Sequence, residues 1–442
     1  MPTAMDIYKL LPKKNCGECK VPTCLAFAMQ LANQKAALEA CPYVSPEAKA
    51  ALEESGAPPI RLVTVGVGDL AVKIGDETQL FRHDKTFYHP TVLGFMADDA
   101  DGLDAMKTKI SAAQSMSFER VGQMIRVDSV VLRHSTGKPE DFLEAVKEAA
   151  GAKLPIVLMT EDPKVMGEAV ALCPGKRPLL YRATPQNHDA MIGLAKSCCF
   201  PLVIGGASSL DELAQISDKA KKAGVSDIIL EPHTSGASSM LENLTVIRRA
   251  AVKKKFRPLG YPTISVLGNS DLDLMRAALG VMKYSSIVLM KDVPREFLFS
   301  LMALRQNIFT DPQVPIQVKP GLYTIGEPSE KSPILLTTNF SLTYFTVRAD
   351  AEKSKVPVWL LVVDTDGQSV MTAFAAGKLT PESVAKAVET EKVKEKNKRG
   401  DIVIPGMVSR MSGKLNELTG LKIIVGPRES SGLPKMLKSL GG

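Results

Sequence analysis

Aromatic residues are scarce in this 442-residue chain, at 5%, with Trp359 the sole tryptophan. That excludes a stacking platform for single-stranded nucleic acid. Histidine is scarcer: His83, His89, His134, His188 and His233 are all there are, so Thr234 to Gly442 has no imidazole to offer a metal. Neither GxGxxG nor GxxxxGK[ST] occurs, so a plain nucleotide is not the expected ligand. No charge-free apolar run reaches the ~18 residues of a transmembrane helix, and no membrane is expected. Residues 1–14 hold no apolar stretch before a small-residue cleavage site. No secretion signal is expected, and the cytoplasm is the default compartment. The net charge of +7 is mild and spread out, which suits nucleic acid poorly.

What is present is a globular composition, 45% hydrophobic and 23% charged, in a chain long enough for two or three domains. Seven cysteines in this length make no secreted disulfide framework. Four of them, Cys16, Cys19, Cys24 and Cys41, fall in the first tenth of the chain, in the spacing C-x2-C-x4-C-x16-C-P. Four converging thiolates bind tetrahedral zinc or an iron–sulfur cluster. Zinc sites tend to pair two short knuckles. Here three cysteines crowd into nine residues and the fourth arrives before Pro42, which is closer to cluster ligation, with zinc the alternative. Lys13, Lys14 and Lys20 beside them would offset the thiolate charge. Helices are expected over 6–11 and 23–40. Cys173, Cys198 and Cys199 end later helices and are expected to be small core residues.

After the linker signal at 56–59, residues 60–309 alternate strand with helix. Strands at 62–66 and 78–81 read as a hairpin. Eight apolar strands follow near 91–98, 129–134, 155–160, 178–183, 201–206, 227–232, 262–268 and 285–290, each trailed by an amphipathic helix. Ser209 with Glu212, and Pro139 and Pro163 at first turns, are helix openings. The pattern fits a (β/α)8 TIM barrel, with an open eight-stranded doubly wound sheet as the alternative. Residues 311–333 hold five prolines and read as a linker. A second α/β unit, of flavodoxin-like size, runs over 334–442 with strands at 334–338, 359–364, 402–406 and 422–427. The Lys- and Glu-rich run 389–399 reads as a solvated helix face.

In an open α/β sheet, ligands bind outside the carboxyl ends of the strands. Those ends fall at 337–339, 364–367, 405–406 and 426–427. The stretch 367–376, GQSVMTAFAA, would let a broad flat ligand approach the backbone. Glycine and threonine at strand ends are also ordinary turn chemistry.

A four-cysteine segment, a barrel and a histidine-free α/β unit together resemble the large (gamma) subunit family of corrinoid iron–sulfur proteins of the acetyl-CoA pathway, and the gamma subunit of archaeal decarbonylase/synthase complexes. The resemblance spans the chain and is most specific at the cysteine spacing and at Gly367-Gln368-Ser369-Val370-Met371-Thr372-Ala373. It implies a small helical [4Fe–4S] domain over 1–57 ligated by Cys16, Cys19, Cys24 and Cys41. It implies a barrel over 58–310 and a cobamide-binding domain over 334–442. Thr372 is implied to lie beneath the corrin. Contacts are implied from Thr338, Asn339, Phe340, Thr343 and Thr346 after the first strand, and from Gly367, Ser369, Val370, Met371 and Ala373 after the second. Gly406 and Met407 follow the third, and Gly426, Pro427, Gly432, Leu433 and Met436 follow the last. The histidine-ligating motif D-x-H-x-x-G of other cobalamin proteins is missing, which agrees with a base-off cobamide that no protein nitrogen ligates.

The resemblance further implies a methyl carrier. Co(I) accepts a methyl group from methyltetrahydrofolate on a separate methyltransferase and delivers it to acetyl-CoA synthase. The cluster restores cobalt that has oxidised to Co(II). Implied partners are a small barrel subunit in a heterodimer, the methyltransferase, acetyl-CoA synthase/CO dehydrogenase, and a reductive activator or ferredoxin. Two other readings are open. The barrel could itself bind a pterin, with Asn269, Asp271, Glu231 and His233 at strand ends. Alternatively, the last domain could hold flavin in an electron-transfer protein.

Overall fold

In the computed structural model, residues 3–440 are described, apart from 34, 47, 50, 51, 53–55, 122 and 312–314. Eight parallel strands close into a barrel: β3 (Val92–Asp98), β6 (Ser129–Arg133), β7 (Ile156–Met159), β8 (Leu179–Ala183), β9 (Leu202–Ile204), β10 (Ile228–Leu230), β11 (Thr263–Leu267) and β12 (Ser285–Met290). Closure is by β12 pairing with β3, Ile287 opposite Val92. The open-sheet alternative is thereby excluded. The strands are continuous apolar runs because both faces are covered. One face packs on the outer helices; the other, with Val131, Val157, Val203, Ile229, Ile264 and Leu289, fills the barrel interior.

The hairpin before the barrel forms with a different partner from the one expected. β1 (Val63–Val65) pairs antiparallel with β2 (Val72–Ile74), and 78–81 is not a strand. Val63, Val65 and Ile74 join the barrel's interior cluster, and Gly66 N donates to Arg177 O at 2.9 Å. The hairpin therefore stoppers the end where the strands begin. Ala57 O and Pro58 O accept from Arg257, so the expected linker at 56–59 is docked on the barrel. A second hairpin, β4 (Ser117–Arg120) with β5 (Gln123–Arg126), was not expected.

In the cysteine segment, helices span Ala4–Leu10 and Cys24–Ala32. The helix expected over 23–40 ends early, at the Asn33 cap, and a short 3-10 turn, Leu38–Ala40, leads into Cys41. Cys173 is fully buried, and burial pushes its thiol up to about 11. Cys199 departs from the expected core role: it is the exposed left-handed cap of the helix His188–Cys198, and Cys198 is half-buried.

The stretch 311–333 is not simply a linker. β13 (Gly321–Ile325) lies within it and pairs antiparallel with β15 (Val358–Val363). β14 (Ile334–Thr338), β16 (Asp401–Ile404) and β17 (Lys422–Val425) complete a five-stranded sheet in the order β13-β15-β14-β16-β17. The four parallel strands thus run 2-1-3-4, a doubly wound order. Helices Ser341–Lys353 and Leu433–Leu440 cover one face. Helices Val370–Ala375, Pro381–Thr390 and Ser412–Thr419 cover the other. Within 389–399 only Val393–Lys396 is an additional helix, and Val393 is buried while its charged neighbours are exposed.

Candidate functional site

The strand order reverses between β14 and β16, so their carboxyl ends splay and leave a crevice. A cleft of about 510 Å³ opens there. Thr337, Phe340, Thr343 and Thr346 line it from the β14 end and its helix. Ser369 comes from the loop after β15 and Val370 and Met371 from the start of the helix it caps, Met407 follows β16, and Gly426, Pro427 and Leu433 follow β17. Most of these were expected. Thr337 was expected only as part of a strand end. Leu342, Val347, Arg428 and Ser430 also line the cleft and were missed; the helix from Ser341 has almost no one-sided apolar pattern, so the sequence offered no signal for the first two.

The walls are mostly apolar, with Arg428 the one charged side chain among the described lining residues. Thr337 and Thr338 are buried with hydroxyls that meet no partner. An orphaned hydroxyl in a buried position costs free energy unless something satisfies it, and the Thr337 hydroxyl borders the cleft. An apolar cradle with a few convergent polar groups suits a large ring bearing amide arms. Gly406 allows the loops after β16 and β17 to meet backbone on backbone: a Cβ there would stand 2.5 Å from Gly426 O.

Eight expected contacts stand outside the cleft lining. Ala373 belongs to the core beneath it, because its helix turns that side inward. Thr338 and Asn339 are buried behind the strand end. Gly367 packs against Gln317, Gly406 against Gly426, and Gly432 against Pro427. Met436 packs on the sheet. Thr372 is exposed, and its hydroxyl lies 3.0 Å from that of Ser369, which does line the cleft.

At the other end of the chain, Cys24 and Cys41 are buried in one small apolar cluster with Cys19 packed on it, while Cys16 is exposed. Asn15, Gly17 and Lys20 have left-handed backbones, which coil this loop about Cys24. Tyr43 donates to Glu18 at 2.7 Å, and that bond, followed by the Glu18 charge, raises its phenol. The Lys14 ammonium stands over the Tyr43 ring. Soft donors in one small unit suit a cluster by chemistry. Among the described residues, however, no three His, Cys, Asp or Glu side chains stand as a ready cage.

The barrel's strand ends hold polar networks that satisfy themselves. Glu231 accepts from Tyr181 Oη at 2.7 Å and is paired with Arg182. Burial first, then Glu231, pushes the Tyr181 phenol well above its usual range. Asp271 opens a helix, and Asn269 and His233 are exposed. Among the described residues, no helix is long and apolar enough to cross a membrane.

A family model described as "CO dehydrogenase/acetyl-CoA synthase delta subunit" matches residues 62–437, and an "Fe-S cluster" model matches 11–43. The corrinoid/iron-sulfur protein large subunit of Moorella thermoacetica is 46% identical over 434 residues, 98% of this chain and 97% of that one. The acetyl-CoA decarbonylase/synthase complex subunit gamma of Methanothermobacter thermautotrophicus is 34% identical, covering 99% of both chains. Among solved structures, dihydropteroate synthase from Thermus thermophilus is 17% identical, over 55% of this chain and 97% of that one, with a TM-score of 0.36. The delta model leaves the cysteine segment unmatched, whereas the large- and gamma-subunit relatives include it end to end. The chain belongs to the family of corrinoid/iron-sulfur protein large subunits and acetyl-CoA decarbonylase/synthase gamma subunits.

Proposed function

We propose that this chain is a methyl carrier of the acetyl-CoA pathway, holding a corrinoid in the cleft of residues 334–442 and a [4Fe–4S] cluster on Cys16, Cys19, Cys24 and Cys41. The observation that carries the reading is the apolar crevice at the strand-order reversal, in a chain similar along its whole length to a corrinoid/iron-sulfur protein. When bound, the cobamide supplies a nucleophilic cobalt and the cluster supplies single electrons.

The residues do the rest. Phe340, Met371, Met407 and Leu433 would exclude water from one side of a bound ring, and Thr337, Thr343 and Arg428 would offer bonds to its arms. Thr372, tied to Ser369, would offer a bound cobamide a hydroxyl rather than an imidazole. A hydroxyl is a weak donor, so this chain would add no strong ligand that makes the cobalt harder to reduce. The domain limits at 57/58 and 310/311 are part of this reading. So are the partners: a small barrel subunit over the outer corrin face, a methyltetrahydrofolate–corrinoid methyltransferase, acetyl-CoA synthase/CO dehydrogenase, and a reductive activator or ferredoxin.

The test is the protein purified without oxygen. Its visible spectrum should be that of a corrinoid, with stoichiometric cobalt and about four iron and four sulfide per chain. A flavin spectrum, or zinc without sulfide, overturns the reading. Paramagnetic resonance of the Co(II) form should lack axial nitrogen splitting; such splitting overturns the base-off part alone.

A further inference from the structure

Asn339 is fully buried and lies outside the cleft lining, yet its side chain takes part in five hydrogen bonds. Its Oδ1 accepts from Thr365 N at 2.9 Å, Thr365 Oγ1 at 2.9 Å and Gly367 N at 3.1 Å. Its Nδ2 donates to Asp364 Oδ1 at 3.0 Å and Gln317 Oε1 at 3.3 Å. The residue stands where β14 ends, and the loop it grips follows β15. That loop leads directly into Ser369, Val370 and Met371, which line the cleft.

The loop needs a grip. Asp366 and Gly367 both have left-handed backbones, with φ of 52° and 70°. Left-handed geometry is unfavourable for a residue with a Cβ, so Asp366 stays there only if its neighbours hold it. Gly367 is further constrained by Gln317: a Cβ on it would stand 2.6 Å from Gln317 Cγ. Gln317 belongs to the segment entering from the barrel, and Val318 N donates to Asn339 O at 2.9 Å. Entry segment, β14 end and β15 loop therefore meet on one amide.

We propose that Asn339 is the positioning residue for the cleft floor: it sets the loop that carries Ser369 to Met371, and Gln317 braces it from the entry segment. The proposal rests on the reading of the cleft as the corrinoid site. Asparagine is suited because the position needs an acceptor on one side and a donor on the other. Aspartate supplies only the first and would face Asp364 across the 3.0 Å that the amide now bridges. Alanine supplies neither and leaves buried N–H groups unpaired.

The experiment uses the full chain freed of corrinoid, titrated with aquocobalamin under reducing conditions, then loaded and read by Co(II) paramagnetic resonance. Asn339→Ala should bind at least about tenfold more weakly and give a broadened or mixed Co(II) signal. Asn339→Asp should bind weakly at pH 8 and recover as pH falls and the new carboxylate, beside Asp364, takes up a proton. The unaltered chain should show no such recovery. Thr365→Val keeps volume and removes the hydroxyl's bonds, so it gives a milder loss in a chain that folds even where Asn339→Ala does not. Iron and sulfide content should be unchanged in all.

Wild-type affinity and an unaltered Co(II) signal in Asn339→Ala and Thr365→Val would overturn the proposal alone. So would an Asn339→Asp loss that ignores pH, which would mark a general defect of folding. Failure of the unaltered chain to bind aquocobalamin would sink the reading of the cleft, and this proposal with it.

Discussion

Asn15 and Cys24 are bonded reciprocally: Cys24 N donates to Asn15 Oδ1 at 2.8 Å, and Asn15 N donates to Cys24 Sγ at 3.4 Å. An N–H pointing at a ligating sulfur withdraws charge and raises a cluster's reduction potential. Asn15→Ala keeps the N–H but removes the side-chain latch that aims it. The cluster potential should move to a more negative value, with iron content retained. A potentiometric titration followed by paramagnetic resonance reads this; an unchanged or more positive midpoint contradicts it.

Replacing Cys24 separates the two cofactors' roles. Cys24→Ala should lose the cluster and with it reactivation by a physiological reductant. Chemically generated Co(I) should still accept a methyl group, because the cleft lies in a different part of the chain. Stopped-flow methylation of the corrin-loaded variant is the measurement. Failure at methylation itself would show that the cluster does more than deliver electrons.

Thr372→His would offer an imidazole near Ser369. If the residue lies below the metal, the Co(II) spectrum of the variant gains axial nitrogen splitting and Co(II) becomes harder to reduce. A variant with the parent spectrum would place residue 372 elsewhere.

Asp99 links the ends of β3 and β6. Its carboxylate accepts from Ser135 N at 2.8 Å, Thr136 N at 3.2 Å and Thr136 Oγ1 at 3.0 Å, and lies 2.6 Å from His134 Nδ1. Burial alone would raise its pKa, but these donors outweigh it and hold it below the ordinary value. A depressed carboxyl stabilises the fold above its unfolded pKa, and that stability is lost as pH falls through the folded value. Asp99→Asn should therefore cost on the order of 2–4 kcal/mol at pH 7, and the gap from the parent should narrow below about pH 4. Calorimetric melts at pH 7 and pH 3 decide; a gap that is constant with pH counts against this account.

Alkylation distinguishes the three late cysteines. Cys199, exposed, and Cys198, half-buried, should react with iodoacetamide in the native protein. Cys173, with no exposure and a thiol pushed up to about 11, should react only after unfolding. Peptide mass spectrometry measures this; native labelling at Cys173 would show that the barrel opens.

The barrel strands were legible because a parallel strand covered on both faces is a short unbroken apolar run. The eight runs read from sequence fall on β3 and β6 through β12. β13 was hidden for the opposite reason. It is an edge strand among prolines, half-exposed, and what selects it is a partner strand that sequence alone does not bring alongside. The hairpin Ser117–Arg126 is likewise half-exposed, with Met124 largely bare, so its alternation carried no core signal. In the cleft, residues directly after strand ends could be read from loop positions. Leu342 and Val347 could not, because their place depends on which side of a helix meets the sheet. Asn339 was identified by its position after a strand, but the bonds it makes were not legible, because its partners come from two other segments, the entry segment at Gln317 and the loop after β15.

β13 also shortens a leash. The helix Arg295–Phe309 ends the barrel, and Gln317 already bridges to Phe340 in the last domain. Only residues 310–316 lie between those anchors. Seven residues stretch to roughly 25 Å at most, where the whole of 311–333 would have stretched to roughly 80 Å. On the function proposed above, a corrin on so short a tether would pivot about its root rather than travel, and each partner would have to come to the carrier within that small arc.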